Sequence, residues 1–533
     1  MGDAGSLHTE VGRTGTATAE EVRLGAQLQH WTVPVLVGLI GAFMGILDSS
    51  IVNVAIATIM HVFSTTTQVV QWVSTVYLLA LGVATPISGW LGDRIGFKRL
   101  YMLSMAVFIT GSALCTASWS INALIVARVV QALGGGMIMP TTMAMTYRLV
   151  PKDRIGRAMG LFGIALLVAP AIGPTLGGYL VEYVDWRWIF TINLPIGIIG
   201  LFLAYMYLPE FESAPAGKFD YPGAITSGIG LFALLLAFSK GADWGWGAEQ
   251  TVLLFYLGAA MLGLFVYLEL TSPKPLLDLR VFKYSTFTFA NLTIVVTTVG
   301  MYAGLFYLPL FLQTVRGLGA LETGLLMMPG ALVSGLMMPL SGQLYDRIGP
   351  RPLVVAGLAL LAFLTYTFHN LSVVTPVTTV MVWIMLRGLV MSFANMPAQT
   401  ASIAVIPQEL VGRASALTNI ISRVASSFGL AVLTSIMTNR TALHTAQLAA
   451  SVTPQNLAFS QLMQKAGSLL GGGAGGHAAA LSVVYGEVQE LGYVQGIDDI
   501  FIVAAGLTVF AIIPALFLKR ATQPAGRNAP AHR

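Results

Sequence analysis

Two charged residues lie inside apolar stretches in the first quarter of the chain. Asp48 is in WTVPVLVGLIGAFMGILDSSIVNVAIATI, residues 31–59, and Arg128 is in LIVARVVQALGGGMIMP, residues 124–140. An ionisable group at the centre of a membrane helix costs at least about 2.5 kcal/mol. Such a group is usually retained because it carries protons, ions or substrate. The alternative is an Asp–Arg pair that only holds helices together.

The depths of these two residues predict that they meet. Asp48 lies ten residues, or roughly 15 Å, from the predicted end of its span. Arg128 lies seven residues, or roughly 10 Å, from the same side. Burial favours a protonated carboxyl, whereas a neighbouring cation favours the carboxylate. A carboxyl held between these influences can take up and release a proton, so we assign proton coupling to Asp48 and Arg128. Arg128 can equally be structural.

Two further arginines occupy apolar segments of the second half. Arg387 follows Arg128 by 259 residues (387 − 128), and Arg423 lies ten residues into a predicted span. No acidic residue there matches Asp48, apart from Glu322 at the end of a span. These arginines could attract anionic groups, pair with backbone carbonyls or line a wet cavity.

Enzyme chemistry finds no support in the sequence. Seven histidines show no HExxH or other ligand spacing, Cys115 is the only cysteine, and GxxxxGK[ST] does not occur. The sequence also shows no candidate set of a nucleophile with a general base near a membrane face. We therefore expect no catalytic residues, no metal, no cofactor other than a coupling proton, and no nucleic-acid partner.

Composition sets the class of protein. Of 533 residues, 56% are hydrophobic and only 10% are charged, and the mean hydropathy is +0.77. Soluble proteins carry about 25% charged residues. The chain is therefore predicted to be an all-α polytopic membrane protein.

Apolar runs of roughly 18 residues or more indicate fourteen spans. They are 32–58, 70–91, 100–118, 122–147, 157–182, 188–208, 222–240, 252–271, 286–312, 322–344, 352–370, 376–402, 413–437 and 498–518. Alternation of these spans puts the basic loops at 92–99, 147–157, 345–352 and 407–413 on one side. The short loops of the other side are nearly free of Lys and Arg, which predicts that both termini are cytoplasmic.

Two motifs recur at nearly one offset. Asp93 of GWLGDRIGFKR and Asp346 of GQLYDRIGPR are 253 residues apart (346 − 93), and Pro151 and Pro407 are 256 apart (407 − 151). This indicates a duplicated six-helix unit. The predicted organisation is a tail at 1–30, a bundle at 31–210, an inserted pair with its flanks at 211–285, a second bundle at 286–520 and a tail at 521–533. The inserted pair, 222–271, is expected to be peripheral.

One long interruption, 438–497, falls between the last two predicted spans. It is rich in Gly and Ala and includes LLGGGAGGHAAALS. Alternation places it outside the cell. Composition leaves open a mobile linker or an external cap.

The loop at 89–99 combines turn glycines, an acidic residue and basic residues. An Asp near a helix N-terminus is favoured by the partial positive charge there. A gating role is assigned to the charged and glycine positions of this motif and its repeat. They are Gly89, Asp93, Arg94, Gly96, Lys98, Arg99, Asp346 and Arg347.

These motifs resemble those of a known family. G-x-L-x-D-R-x-G-x-K-R is similar to the loop signature of the major facilitator superfamily, and LIVARVVQALGGGMIMP resembles its fourth-helix motif. LDSSIVNVAIATI and WRWIFTINLPIG are similar to signatures of fourteen-helix drug/proton antiporters of the EmrB/QacA type. Ala57 replaces a proline common in the first of these.

The resemblance implies a fold and a function. The fold is two six-helix bundles plus two extra helices. The function is proton-coupled export of lipophilic, often cationic compounds through the cell membrane, by a monomer that would use an accessory protein in a two-membrane cell. The alternative is a lipid or lysolipid transporter on the same fold. A membrane-embedded enzyme is the reading that the residues support least.

The resemblance and the preference of an anion for a helix N-terminus place Asp93 near Gly412 and Arg413, at the beginning of the span 413–437. This contact is expected when the cavity opens outward.

The resemblance also implies an inter-repeat seal at a Gly-Pro run in the fifth span. Its members are Gly163, Pro170, Gly173, Pro174, Gly177 and Gly178. Large adaptable side chains suit a broad-specificity cavity. We place in that cavity Trp72, Tyr77, Tyr302, Phe306, Tyr307, Arg387 and Arg423.

Overall fold

The computed structural model describes residues 31–151, 154–211, 219–272, 275–372, 374–451, 460–461, 464–465 and 473–520. The tails predicted at 1–30 and 521–533 lie outside the described residues. Within the described ranges the regular structure is helical. Helices satisfy their own backbone groups, which a bilayer core requires.

Fourteen spans form in three groups. The first six are α1 (Thr32–Val62), α2 (Trp72–Ala84, then Ile87–Ile95), α3 (Phe97–Thr116), α4 (Ile121–Leu149), α5 (Ile155–Tyr183) and α6 (Trp188–Thr191, then Asn193–Tyr207). The inserted two are α7 (Tyr221–Trp244) and α8 (Glu249–Thr271). The last six are α9 (Ser285–Tyr302, a π turn Ala303–Tyr307, then Leu308–Thr314), α10 (Ala320–Ile348), α11 (Pro350–Thr367), α12 (Val377–Ala404), α13 (Val411–Ser451) and α14 (Gly473–Phe510).

The number of spans agrees with the prediction of fourteen. In the described part of the chain, thirteen helices are long and apolar enough to cross a membrane, and α2 is a further span bent by 53°. Pro86 stands at the bend, where it cannot donate a backbone hydrogen bond. The Thr85 hydroxyl donates to the carbonyls of Leu81 and Gly136 at 2.7 and 3.1 Å, which anchors the bend on α4.

Helix packing repeats between the two halves. In the first half, α1 packs on α5 and α6, α2 on α4, and α3 on α4 and α6. In the second half, the corresponding pairs are α9 with α13 and α14, α10 with α12, and α11 with α12 and α14. Gly96 and Gly349 end the corresponding helices with φ of +87° and +84°, a conformation that favours glycine. This is the packing that a duplicated six-helix unit predicts.

The halves meet along α5 and α10, which run antiparallel. We call the end that carries the loops at 92–99, 147–157, 345–352 and 407–413 the basic end, and the other end the neutral end. Gly156 touches Gly342 at the basic end, Gly163 faces Met338 in the middle, and Gly324 faces Thr175 towards the neutral end. A Cβ at any of these glycines would meet the partner, so small residues allow the close approach.

The inserted helices occupy different positions. Only 17% of the most apolar window of α8 is buried, so α8 is peripheral as predicted. In contrast, α7 lies against both halves: Leu235 packs on Leu79 of α2, and the Phe238 and Phe428 rings are 5.4 Å apart. The description of a peripheral pair therefore holds for α8, whereas α7 fills the seam between α2 and α13.

The predicted interruption at 438–497 is corrected by the structure. In the described residues, α13 continues to Ser451 and α14 begins at Gly473, so most of this segment extends the last two spans. Gly492 and Gly496 pack on α13, and the His444 ring lies 2.9 Å from Asp499. The alanine-rich sequence permits helix although its hydropathy is low, which is why hydropathy alone placed the boundaries wrongly.

Candidate functional site

Asp48 and Arg128 meet in the interior of the first half. Their side chains are 0% and 1% exposed, and Arg128 Nη1 lies 2.6 Å from Asp48 Oδ2. Asp48 projects from α1 and Arg128 from α4, so the predicted match in depth brings the two together. The pair is fully withdrawn from solvent.

Three further polar side chains complete the network around Asp48. Its Oδ1 accepts hydrogen bonds from Gln131 Nε2 at 2.8 Å and Asn193 Nδ2 at 2.9 Å. The same two amides donate to the Ser112 hydroxyl at 2.7 and 3.3 Å. Because α1, α3, α4 and α6 each supply at least one member, the network also ties four helices together.

Arg128 is well supplied with acceptors. Besides Asp48, it donates to Gln131 Oε1 at 2.6 Å and to the Val73 carbonyl at 3.2 Å. Its guanidinium carbon lies 3.8 Å from the centroid of the Tyr77 ring and 5.6 Å from that of Phe190. Aromatic faces stabilise a desolvated cation.

Sequence reasoning missed Gln131, Asn193 and Ser112. Gln131 carried a usable signal, because it follows Arg128 by three residues and therefore shares its helix face. Asn193 is the polar residue within the apolar stretch IFTINLPIG. Ser112 carried no signal that distinguishes it from other small residues of α3.

The network has a definite chemical consequence. Asp48 and Arg128 together are neutral, and their donors and acceptors are largely matched. Protonation of Asp48 would leave the guanidinium without its anion in a dry site, which is costly. Proton uptake therefore requires a rearrangement that admits water or another anion.

The gating motif lies at the contact between the halves. Asp93 Oδ1 is 3.2 Å from Arg148 Nη2, and Asp93 Oδ2 is 3.8 Å from Arg413 Nε on α13. A Cβ at Gly89 would lie 3.3 Å from the Arg413 Cα, and Gly412 packs on the Phe97 ring. Asp93 thus lies beside the beginning of α13, where the resemblance and the helix dipole predict it.

The repeated motif makes the reciprocal contact. Asp346 Oδ1 accepts a hydrogen bond of 3.0 Å from the backbone amide of Gly156, in the first turn of α5. Arg520 donates to the carbonyls of Asp346 and Arg347. Each half therefore presents an aspartate to the beginning of a helix in the other half, where the helix dipole favours an anion.

The remaining basic residues of the motif stay within the first half. Arg94 lies over the Trp90 ring at 5.2 Å. Lys98 and Arg99 are 4.0 and 3.9 Å from Glu210, at the surface. Surface ion pairs of this kind contribute little stability.

The Gly-Pro run divides between two partners. Gly173 and Gly177 pack on Ser50 and Ile51 of α1, within the first half, whereas Gly163 faces α10. Gly178 has no neighbour within 4 Å of an added Cβ. Among the glycines of the run, Gly163 therefore contacts the other half, and Gly173 and Gly177 join α5 to α1.

A specific hydrogen bond explains how α5 tolerates its prolines. Pro174 has no amide hydrogen, so the carbonyl of Pro170, four residues earlier, lacks its helical partner. The Ser50 hydroxyl donates to that carbonyl at 3.0 Å. The backbone group that proline leaves unsatisfied is thus paired by α1.

The residues predicted for a cavity divide into packing residues and exposed ones. Tyr77 is 1% exposed and belongs to the Arg128 site, Trp72 packs beside Leu79, and the buried Tyr307 lies 3.0 Å from the Thr434 hydroxyl. Phe306 is 45% exposed. Tyr302 is partly exposed, as are Arg387 and Arg423.

The two arginines of the second half lack the carboxylate that Arg128 has. Arg387 donates to the Met301 carbonyl at 3.1 Å, and its guanidinium lies against Gly304 in the π turn. Arg423 lies within electrostatic range of the hydroxyls of Tyr77 and Tyr302. In the described part of the chain, neither arginine forms an ion pair, and no cluster of three or more His, Cys, Asp or Glu residues could hold a metal.

Comparisons with known proteins agree with this architecture. A model of the Major Facilitator Superfamily matches residues 38–430. The chain is 34% identical over 489 residues to the uncharacterized MFS-type transporter YhcA of Bacillus subtilis, covering 91% of this chain and 92% of that protein.

Two further relatives are named as resistance proteins. The lincomycin resistance protein LmrB of Listeria monocytogenes is 32% identical, with 76% of this chain and 86% of that protein covered. The multidrug resistance protein B homolog of Mycobacterium tuberculosis is 31% identical, with 92% and 90% covered.

Solved structures share the fold at low sequence identity. The human organic anion transporter MFSD10 (TETRAN) is matched with a TM-score of 0.58 and 13% identity, over 91% of this chain and 99% of that chain. The proton:xylose symporter XylE is matched with a TM-score of 0.55 and 14% identity, over 90% and 94%.

Proposed function

The chain belongs to the major facilitator superfamily, and on that premise we propose that it exports lipophilic small molecules in exchange for protons. It is a multi-pass membrane transporter and not an enzyme. The observation that carries the proposal is the carboxylate of Asp48, sealed against Arg128, Gln131 and Asn193 inside the first half. The resistance proteins among its relatives support export.

The proposed cycle uses the cost of an unpaired charge. A proton on Asp48 removes the anion that Arg128 requires, so the protonated protein favours an arrangement in which Arg128 gains water or another acceptor. Loss of the proton restores the network and favours the closed site. A proton thereby shifts the balance between two arrangements of the halves, as coupling demands.

The gating contacts give the two arrangements a physical basis. At the basic end the halves are joined through Asp93 with Arg413 and through Asp346 with Gly156. We propose that the basic end faces the cytoplasm of the cell, with both termini there, because the Lys and Arg residues of the short loops lie at that end. We further propose that the protein acts as a monomer and that the proton is its coupling ion.

Transport in liposomes tests the proposal. Purified protein would be reconstituted, a pH gradient imposed, and movement of lincomycin and of the lipophilic cation ethidium followed with and without a protonophore. We expect gradient-dependent movement of at least one compound. Asp48→Asn should abolish the gradient dependence while the protein still folds, and Asp185→Asn, which changes an exposed carboxylate, should behave as wild type.

The outcomes separate the alternatives. Gradient-driven transport that survives in Asp48→Asn would place coupling elsewhere. Transport unaffected by the protonophore would remove proton exchange from the mechanism. Lysolipid movement would be followed in the same vesicles. Movement of lysolipids alone would favour a lipid transporter on the same fold.

A further inference from the structure

The second half of the protein contains a pair of arginines whose charge the described residues do not balance. Arg387 lies ten residues, or about 15 Å, from the first residue of α12 at the neutral end. Arg423 lies twelve residues, or about 18 Å, from the first residue of α13 at the basic end. With a hydrocarbon core about 30 Å thick, both lie near the middle of the membrane.

Arg128 provides the comparison, because it is an arginine inside a membrane helix whose charge is balanced. It is 1% exposed, pairs with a carboxylate, and donates to two further acceptors. Arg387 occupies the repeat-related position but makes one hydrogen bond, to the Met301 carbonyl, and its Nε has no partner. Arg423 makes no side-chain hydrogen bond among the described residues, and its Nε is also without a partner.

Both arginines belong to helices that pack on α9. Arg387 contacts Met301 and Gly304 of α9, and Arg423 projects from α13, which packs along α9. A side chain at residue 304 would overlap the Arg387 guanidinium, so glycine makes room for the charge. The π turn Ala303–Tyr307 begins at this point, and such turns frequently occur at functional sites.

The site faces the first half of the protein. Asn419, one turn before Arg423 on the same face of α13, lies 3.4 Å from Met143 Sδ on α4. Both arginines are partly exposed although they lie deep in the bundle. Phe306, 45% exposed, and the partly exposed Tyr302 supply aromatic surface on the same stretch of α9.

We propose that Arg387 and Arg423 form a binding site for the anionic group of an amphiphilic substrate, whose apolar part contacts Tyr302 and Phe306. Two cations near the middle of the membrane without an anion among the described residues are unfavourable, and a carboxylate, sulfonate or phosphate would satisfy both. The inference rests on the proposed function, because it names the class of substrate that the transporter accepts. It departs from the cationic preference that the family resemblance implies.

Equilibrium binding tests the site without requiring transport. Full-length protein in phosphatidylcholine nanodiscs would be titrated with radiolabelled nalidixate, an aromatic carboxylate, and with its uncharged ethyl ester. We expect saturable binding of nalidixate, with the ester bound about tenfold or more weakly, since a hydrogen bond to a charged group contributes on that scale. Arg387→Gln and Arg423→Gln should each remove this preference. Arg423→Lys should keep part of it, and Arg187→Gln, a change at the surface, should keep all of it.

The source of the anion is distinguished by competition. Nalidixate would be displaced with lysophosphatidylglycerol, which is anionic, and with lysophosphatidylcholine. Much stronger displacement by lysophosphatidylglycerol would identify a lipid head group as a ligand. Weak displacement by both would favour a soluble acid. Three results would each overturn the inference. The first is equal binding of acid and ester by wild type, and the second is absence of saturable binding of both nalidixate and lysophosphatidylglycerol. The third is an unchanged preference for the acid in the protein that carries both Arg387→Gln and Arg423→Gln.

The test separates this inference from the proposed function. Retained charge-selective binding with no gradient-driven transport by wild type would contradict only the proposed function. Gradient-driven transport with charge-independent binding would contradict only the anion site. Melting temperatures near that of wild type would show that the variants are folded.

Discussion

The guanidinium carbon of Arg128 lies 3.8 Å from the centroid of the Tyr77 ring. Tyr77 belongs to α2, which also carries Gly89 and Asp93 beside Arg413 of α13. One helix thus contacts both the Asp48 network and the helix that holds Arg423. We expect α2 to couple proton uptake at Asp48 to the position of α13.

Substitutions of Tyr77 should separate its ring from its hydroxyl. Tyr77→Phe keeps the aromatic face and loses the hydroxyl, which contacts the Gly45 carbonyl at 3.4 Å and also lies beside the Asp48 carboxylate. Because Asp48 keeps its other three donors, transport and melting temperature should remain near wild type. Tyr77→Leu should destabilise the protein by about 2 kcal/mol, because a desolvated cation loses its aromatic partner. Denaturant unfolding and liposome transport would measure both effects. A Tyr77→Phe protein that folds but loses gradient-driven transport would instead indicate that the hydroxyl relays protons.

Removal of one amide from the network should be costly. Asn193→Leu deletes the 2.9 Å hydrogen bond to Asp48 and the weaker one to Ser112. We expect a loss of about 1–3 kcal/mol, because a charged acceptor loses one of its donors. Asn291→Leu is the matched control, since Asn291 is buried in α9 and donates only to a carbonyl of its own helix. Equal losses in the two variants would show that the Asp48 network contributes nothing special.

Weakening of the gate should expose the basic end. Asp93→Asn reduces the attraction to Arg413 and Arg148, and a partly buried ion pair of this kind contributes about 1 kcal/mol. A reporter cysteine introduced by Ser415→Cys, at a buried position near the beginning of α13, should then react with maleimide about fivefold faster. Cys115 is buried, so it adds little background. Glu210→Gln is the control, because it disturbs only ion pairs within the first half, and it should leave the labelling rate as in the protein with Asp93. If Asp93→Asn also left the rate unchanged, the gate would be ruled out.

The prolines of α5 provide a double-mutant test. Ser50→Ala should cost about 1 kcal/mol, because the Pro170 carbonyl loses its hydrogen-bond partner. Pro174→Ala restores an amide at the position that normally pairs with this carbonyl. Ser50→Ala should therefore cost much less in the Pro174→Ala background, as unfolding free energies of the four proteins would show. Equal costs in both backgrounds would mean that the hydroxyl has another role.

Much of the site was predictable because depth along a span can be counted. Asp48 and Arg128 were expected to meet from their distances to one membrane surface, and Asp93 was expected beside the beginning of α13. Gln131 could have been added, since it shares a helix face with Arg128. Ser112 could not, because a serine in an apolar helix carries no information about which neighbour it faces.

The sequence by itself determined the class of protein, the number of spans and the internal repeat. A bilayer requires apolar runs of a set length and charges at their ends, and these requirements are met along the chain, where they can be read. Only the tertiary structure decided that Gly173 packs on α1, that α7 lies at the seam, and that Arg387 and Arg423 have no carboxylate partner in the described part of the chain. These features depend on the rotation of each helix about its axis and on its neighbours, and helices that are apolar on nearly every face do not encode that rotation in their own pattern.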